Sequence, residues 1–306
     1  MIFESLDFLD EVSPEAYAEH FGKEQKEKVT HKRHRSNMML NPLNLKHLNR
    51  IDESDADMIT LNLEDAIAPA RKKEALYNIA LFLSHLKASQ SFIIVRTNPL
   101  DEGGAEEIKY LNAFGFDAIR VSKIKNKYEI GRALKLLSGD KELHISLETK
   151  EAFANLSTLC TDRRFTTANL GILDLLHSMG LPQSILTLGN PTIDHILTKF
   201  LVDAKSSGIH PISFMYQDYE DTETFRAWCE RERMMGFESK ACMGPKQVTI
   251  ANEIFTATAE EIARATHIKA VFESNAANQI HGFMDGQYGF IDEPIYKDAL
   301  LLLAHL

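Results

Sequence analysis

The chain has 306 residues, 44% hydrophobic and 25% charged, with a formal net charge of −10. That acidity argues against a general nucleic-acid binder, and no apolar run is long enough to cross a bilayer. Three cysteines at unrelated spacings, Cys160, Cys229 and Cys242, give neither a disulfide framework nor a zinc pattern. With no basic n-region and apolar core at Met1-Ile2-Phe3-Glu4, a reducing cytoplasm is the expected home.

The leader, residues 1–34, is polar and charged. Ser13-Pro14-Glu15 reads as a helix start: N-cap, first-turn proline, early acid. It runs into Lys32-Arg33-His34-Arg35, either a solvated basic run or a seat for an anionic ligand tail. The chain then alternates. Strands are predicted over Asn37–Leu40, Met58–Leu63, Phe92–Arg96, Ala118–Ser122, His144–Glu148, Asn169–Leu173, Ile212–Tyr216 and Ser239–Met243. Helical patterns cover Arg71–Leu86, Ala105–Phe114, Lys127–Leu137, Thr192–Lys205, Thr222–Met235 and Gln247–Phe255.

Alternation through this many units predicts a parallel sheet, closed as a TIM (β/α)8 barrel over residues 35–256. A doubly wound open sheet is the alternative, but no G-x-G-x-x-G or P-loop follows the first strands. From 257 to 306 the alternation stops. Thr258-Ala259-Glu260-Glu261 opens a helix as a capping box, and a glycine-spaced segment, Gly282–Gly289, precedes a terminal helix from about Pro294. This part is expected to form a helical C-terminal lid or oligomerisation arm.

Residues that close the predicted strands gather on one face of such a barrel. They include Glu64-Asp65, Arg96-Thr97-Asn98, Lys123, Glu148 and Asp174. Glu148 and Asp174 suit a hard divalent cation such as Mg²⁺, and Arg96 beside it suits a substrate carboxylate. Each has a plainer reading: Glu148 pairs with a lysine, Asp174 caps the next helix, and Glu64 and Asp65 seed one.

Four motifs in order, Leu61-Asn62-Leu63-Glu64-Asp65-Ala66-Ile67, Val95-Arg96-Thr97-Asn98-Pro99-Leu100, Leu147-Glu148-Thr149 and Leu170-Gly171-Ile172-Leu173-Asp174-Leu175, resemble the citrate lyase β-subunit-like family. That family lies within the HpcH/HpaI aldolase superfamily. The resemblance implies a Mg²⁺-dependent carbon–carbon lyase acting on thioesters of small hydroxy acids, carried on coenzyme A or an acyl carrier. It also implies a homo-oligomer, a trimer or a multiple of one. Glu148 and Asp174 would hold Mg²⁺, and Arg96 would bind the carboxylate of a keto acid such as oxaloacetate. Arg35, Asn98 and Lys123 are expected to contact substrate, and Glu64 and Asp65 to sit around the metal's waters. Asp292 matches the acid that the family's lid presents to a neighbouring subunit. The chain departs from the family pattern at Asn62, Leu173 and Gly244, where the family has acids and a histidine. The alternatives are a metal-dependent aldolase on free hydroxy-keto acids and a non-catalytic binding barrel.

Overall fold

The computed structural model describes residues 1–27, 29 and 33–304. They divide into two compact units, Met1–Phe255 and Thr256–Leu306. In the first, eight parallel strands follow one another: β1 (Ser36–Leu40), β2 (Met58–Asn62), β3 (Phe92–Thr97), β4 (Ala118–Val121), β5 (Glu142–Leu147), β6 (Phe165–Leu170), β7 (His210–Ile212) and β8 (Lys240–Cys242). Their order is β7-β6-β5-β4-β3-β2-β1-β8. A parallel bridge between Ser213 and Lys240 joins the two ends. This is the predicted (β/α)8 barrel.

Parallel neighbours need a crossover connection, and helices supply it. They are α1 (Leu45–Leu48), α2 (Lys72–His85), α3 (Gly104–Leu111), α4 (Lys127–Leu136), α5 (Lys150–Asn155), α6 (Ile172–Ser178), α7 (Pro191–Ser206), α8 (Thr222–Met235) and α9 (Pro245–Ile254). Side chains alternate across a strand, so each strand serves two cores. Ile59, Leu61, Ile93, Val95, Ile119 and Val121 face outward and pack with helix residues such as Ile79, Leu83 and Ile108. Met58, Phe92, Ile94, Ala118, Ile212 and Ala241 face inward and plug the barrel at its amino end.

Above that plug the interior turns polar. Asn37 Nδ2 donates to Asn169 Oδ1 at 2.9 Å, and Thr60 Oγ1 donates to Asn37 Oδ1 at 2.8 Å. The next inward positions, Asn62, Arg96 and Ser122, reach the carboxyl end. The grading from apolar to charged decides which end carries chemistry.

Most strand ends lie within one or two residues of expectation, and two strands differ by more. β6 starts four residues earlier than predicted, and Ile172 and Leu173 belong to α6. Gly171 breaks the apolar run that the sequence presents as continuous. β7 is His210–Ile212, with Pro211 inside it, and the apolar residues after it run on as loop. The short helices α5 and α6 were not predicted. In the leader the helix start at Ser13-Pro14 is a 3-10 turn, Pro14–His20, and Ser13 makes no capping bond. Of the basic run, Lys32 lies outside the described residues. The leader packs on the first unit: Leu9 and Tyr17 are buried, and Lys26 Nζ lies 2.8 Å from Asp117.

The second unit holds α10 (Ala259–Ala276), an antiparallel hairpin of β9 (Gly282–Asp285) and β10 (Gly289–Asp292), and α11 (Glu293–Ala304). The capping box is formed: Thr258 Oγ1 accepts from Glu261 N at 3.2 Å, and Glu261 Oε2 accepts from Thr258 N at 2.6 Å. The glycine-spaced segment is therefore a hairpin rather than a bare linker, with Gly289 at φ +78° where only glycine is unstrained. Its core is small: Ala265, Ile268, Phe272, Ile291 and Ala299. Among the described residues no helix is long and apolar enough to cross a membrane.

Candidate functional site

Arg96 anchors the carboxyl end of the barrel. It is the penultimate residue of β3 and is 5% exposed. Its Nε donates to Ser122 Oγ at 3.0 Å and its Nη1 to Asn62 Oδ1 at 3.4 Å. Its Nη2 lies 2.7 Å from Glu64 Oε2, 3.3 Å from Asp65 Oδ2 and 3.3 Å from Glu148 Oε2. Three acids from two strand ends thus converge on one guanidinium. Desolvating this many charges is costly unless they are paired, and pairing is what the geometry supplies.

The loops leaving β2 and β4 are bent to make this possible. Ala66 and Lys123 hold φ of 67° and 55°, the left-handed region that side chains disfavour. Such conformations cost of order 1–3 kcal/mol each and cluster where function needs them. At Lys123 the turn aims the backbone N–H at Glu148 Oε1, 2.8 Å away, while Nζ sits 2.8 Å from Glu64 Oε1. Asn62 takes Glu64 N on its Oδ1 at 3.2 Å and donates to the Asp65 carbonyl. It shapes the loop that presents both acids.

One oxygen each from Asp65, Glu148 and Asp174 lie within 4.8 Å of one another. Asp174 projects from the first turn of α6 and has no hydrogen bond or ion pair among the described residues. Burial, then the charges of Glu148 and Asp65, push its carboxyl above the usual range. Burial pushes Glu64 up to about 7, helped by its hydrogen bond with Asp65 and opposed by Arg96 and Lys123. Burial acts upward on Asp65 too, but the hydrogen bond with Glu64 and the charges of Arg96 and Lys123 outweigh it, so its carboxyl is lowered. Three crowded carboxylates, Glu148 buried and Asp65 and Asp174 open to solvent, offer the oxygen donors a hard divalent cation takes, and the residues fit Mg²⁺.

Beside the acids opens a cavity of roughly 440 Å³, lined among others by Leu100, Ser122, Lys123, Glu148, Asp174 and His177. A small organic acid fits such a volume. His177, three residues along α6 from Asp174, faces the cavity, whereas His144 is buried in the barrel and stacked on Phe92 at 5.8 Å.

The other expected site residues fall elsewhere. Arg35 precedes β1, so it lies at the amino end of a parallel barrel, opposite the acids; its Nε and Nη2 each lie 2.8 Å from Asp57. A residue before a strand cannot reach the face where strands end, so Arg35 is not among the side chains brought to the acids. Asn98 is buried with its amide engaged inside the protein. It donates to Leu63 O at 3.1 Å and Glu107 Oε1 at 2.5 Å, and accepts from Lys72. Asp292 belongs to the second unit, where its Oδ1 accepts from Ile295 N at 3.3 Å and caps α11.

Two residues escaped the sequence reading. A Cβ on Gly171 would stand 2.8 Å from Glu148 Oε2, so glycine is what lets Glu148 pass. Its signal was the glycine between a strand and an acid. Arg120, in the middle of β4, donates from Nε to Ser146 Oγ at 2.8 Å and from Nη1 to Asn169 Oδ1 at 3.3 Å. At Gly244 a Cβ would stand 2.9 Å from the Tyr219 ring, so the tyrosine fills that space.

Fold and site together define a (β/α)8-barrel protein with a cluster of carboxylates beside an arginine. The profile of the HpcH/HpaI aldolase/citrate lyase family matches residues 35–245. A (3S)-malyl-CoA thioesterase from Cereibacter sphaeroides is 30% identical over 219 residues, 71% of this chain and 75% of that protein. An L-malyl-CoA/beta-methylmalyl-CoA lyase from Rhodobacter capsulatus is 27% identical over 264 residues, covering 74% and 80%. Among solved structures, the protein CitE from Mycobacterium tuberculosis, in complex with magnesium, acetoacetate and coenzyme A, superposes with a TM-score of 0.67. It shares 16% identity and covers 88% of this chain and 97% of its own. The chain belongs to the HpcH/HpaI aldolase/citrate lyase family.

Proposed function

We propose that the protein is a Mg²⁺-dependent lyase that cleaves a 3-hydroxyacyl thioester of a small di- or tricarboxylic acid, or runs the reverse condensation. The observation that carries this is the meeting of Asp65, Glu148 and Asp174 around Arg96 at the barrel's carboxyl end. The names of the relatives, a malyl-CoA lyase and a CitE solved with magnesium and coenzyme A, support the metal and the thioester.

Glu148 and Asp174, joined by Asp65, would hold the ion. A bound Mg²⁺ there supplies Lewis-acid polarisation of the substrate's hydroxyl or carbonyl oxygen. The chain does the rest. Arg96 takes the carboxylate of the keto acid, and Lys123 adds positive charge at the cavity wall. A carboxylate removes the hydroxyl proton; the bond between the carbinol carbon and its neighbour breaks. The electron pair moves into the enolate of the acyl thioester, and a proton returned to that carbon completes the products. Asp292, delivered by a neighbouring copy in an oligomer, is the proposed acid or base, with Glu64 and Asp65 next in line.

The test is a panel of malyl-, citramalyl- and citryl-CoA beside the free acids, with Mg²⁺ and with chelator, following keto acid and free thiol separately. Keto acid without free thiol, only from thioesters and only with Mg²⁺, is the expected result. Free thiol without keto acid would make the protein a thioesterase like its Cereibacter relative. A 2-oxo acid released from a free 4-hydroxy-2-oxo acid run alongside would make it an aldolase, and no product from any of these compounds would leave a binding barrel.

A further inference from the structure

Arg120 is the charged group that the proposed reaction leaves unused. It sits on β4 in register with Arg96 on β3. Both face the barrel interior, and like charges placed opposite each other on neighbouring strands repel. Arg96 is compensated by direct contact with three acids. Arg120 makes no ion pair among the described residues and is held only by the neutral oxygens of Ser146 and Asn169.

One offset seats both side chains. Arg96 donates from Nε to the serine two residues beyond its register partner on β4, and Arg120 does the same on β5. Glu148 is the next inward position beyond Ser146, so the Arg120 guanidinium lies one layer beneath the acids. Burial pushes its pKa down to about 9, the charge of Arg96 adds to this, and Glu148, Glu64 and Asp65 pull it back. Arg120 therefore remains a cation at neutral pH. Asn169 Nδ2, beside it, is a buried donor with no partner among the described residues.

We propose that Arg120 is a specificity-determining buried cation that weakens the site's hold on the metal ion and strengthens its hold on a small 2-oxo carboxylate. This rests on the metal and keto-acid reading above. A field from beneath acts oppositely on the two ligands, because their charges have opposite sign. An arginine that merely fills space and bridges β4 to β5 would, on removal, weaken both ligands together.

The experiment uses the full chain, wild type, Arg120→Met, Arg120→Gln and Arg120→Lys. Calorimetry would measure MgCl2 alone, then glyoxylate, the smallest 2-oxo acid, at saturating Mg²⁺. The neutral variants should bind Mg²⁺ roughly tenfold tighter and glyoxylate roughly tenfold weaker, and lysine should stay near wild type on both. Arg120→Gln keeps a hydrogen-bonding side chain and carries the test if Arg120→Met fails to fold. Loss of both affinities together, or no change in either, would overturn the proposal. If wild type binds neither ligand, the functional reading fails first and this inference with it.

Discussion

Arg35 and Arg96 stand at opposite ends of one barrel, and both meet carboxylates. Arg35 closes a complete pair with Asp57, two bonds of 2.8 Å to a single acid. Arg96 faces Glu64, Asp65 and Glu148 at once, and Asp174 nearby has no partner at all among the described residues. At the amino end one arginine meets one acid in the contacts given; at the carboxyl end acids outnumber the cations that meet them. An arginine says little about function until the acids around it are counted against the cations.

The largest effect should come from the excess itself. Asp174→Asn should lower Mg²⁺-dependent turnover by a hundredfold or more. Its effect on the metal-free fold should have the opposite sign. The folded carboxyl is raised above its unfolded value, so its ionisation costs stability as pH rises through that window. A melting temperature at pH 7 equal to or above wild type is therefore expected, and a clear drop would show that Asp174 is structural.

Next is the contrast between the arginines. Arg96→Lys should weaken keto-acid binding nearly as much as Arg96→Ala, because a lysine cannot reproduce the planar fork. Arg35→Lys should leave that binding untouched and show its effect in stability alone, measured by urea melts. Equal effects of the two lysine variants on keto-acid binding would erase the distinction between the ends.

A subtler change is Gly171→Ala. The new methyl would press on Glu148 Oε2 and Cβ, at 2.8 and 2.9 Å. Overpacking of this kind costs about 1–3 kcal/mol, and the displaced carboxylate should lower Mg²⁺ affinity roughly tenfold. Unchanged affinity would mean that Glu148 is not held where the ion needs it.

The smallest expected effect on the barrel concerns Asp292, whose visible work is to cap α11. Removing a cap costs about 1 kcal/mol. If it also acts on a neighbouring copy, mixing Asp292→Ala with Glu148→Ala protomers should restore part of the activity. Normal turnover by Asp292→Ala alone would leave it a cap.

The barrel was legible because its outward residues, such as Ile59, Leu61, Ile93 and Val95, form short apolar runs between helical patterns. The acids and Arg96 were legible because they close those runs. What escaped has physical causes. Gly171 ends β6 inside an apolar stretch, so strand and helix read as one. Arg35 lies away from the acids because it precedes β1 rather than closing it. Arg120 lies inside Ala118-Ile119-Arg120-Val121, where a lone charge looks outward-facing; only the register shows that it points into the barrel. The hairpin of the second unit was hidden by its glycines.

The most direct test of the cation seat is calorimetric titration of Mg²⁺ into the wild-type chain and into Asp174→Asn. One site per chain in the wild type, and at least tenfold weaker binding in the variant, is the predicted result. Equal affinity in the two, or none in the wild type, would contradict the account.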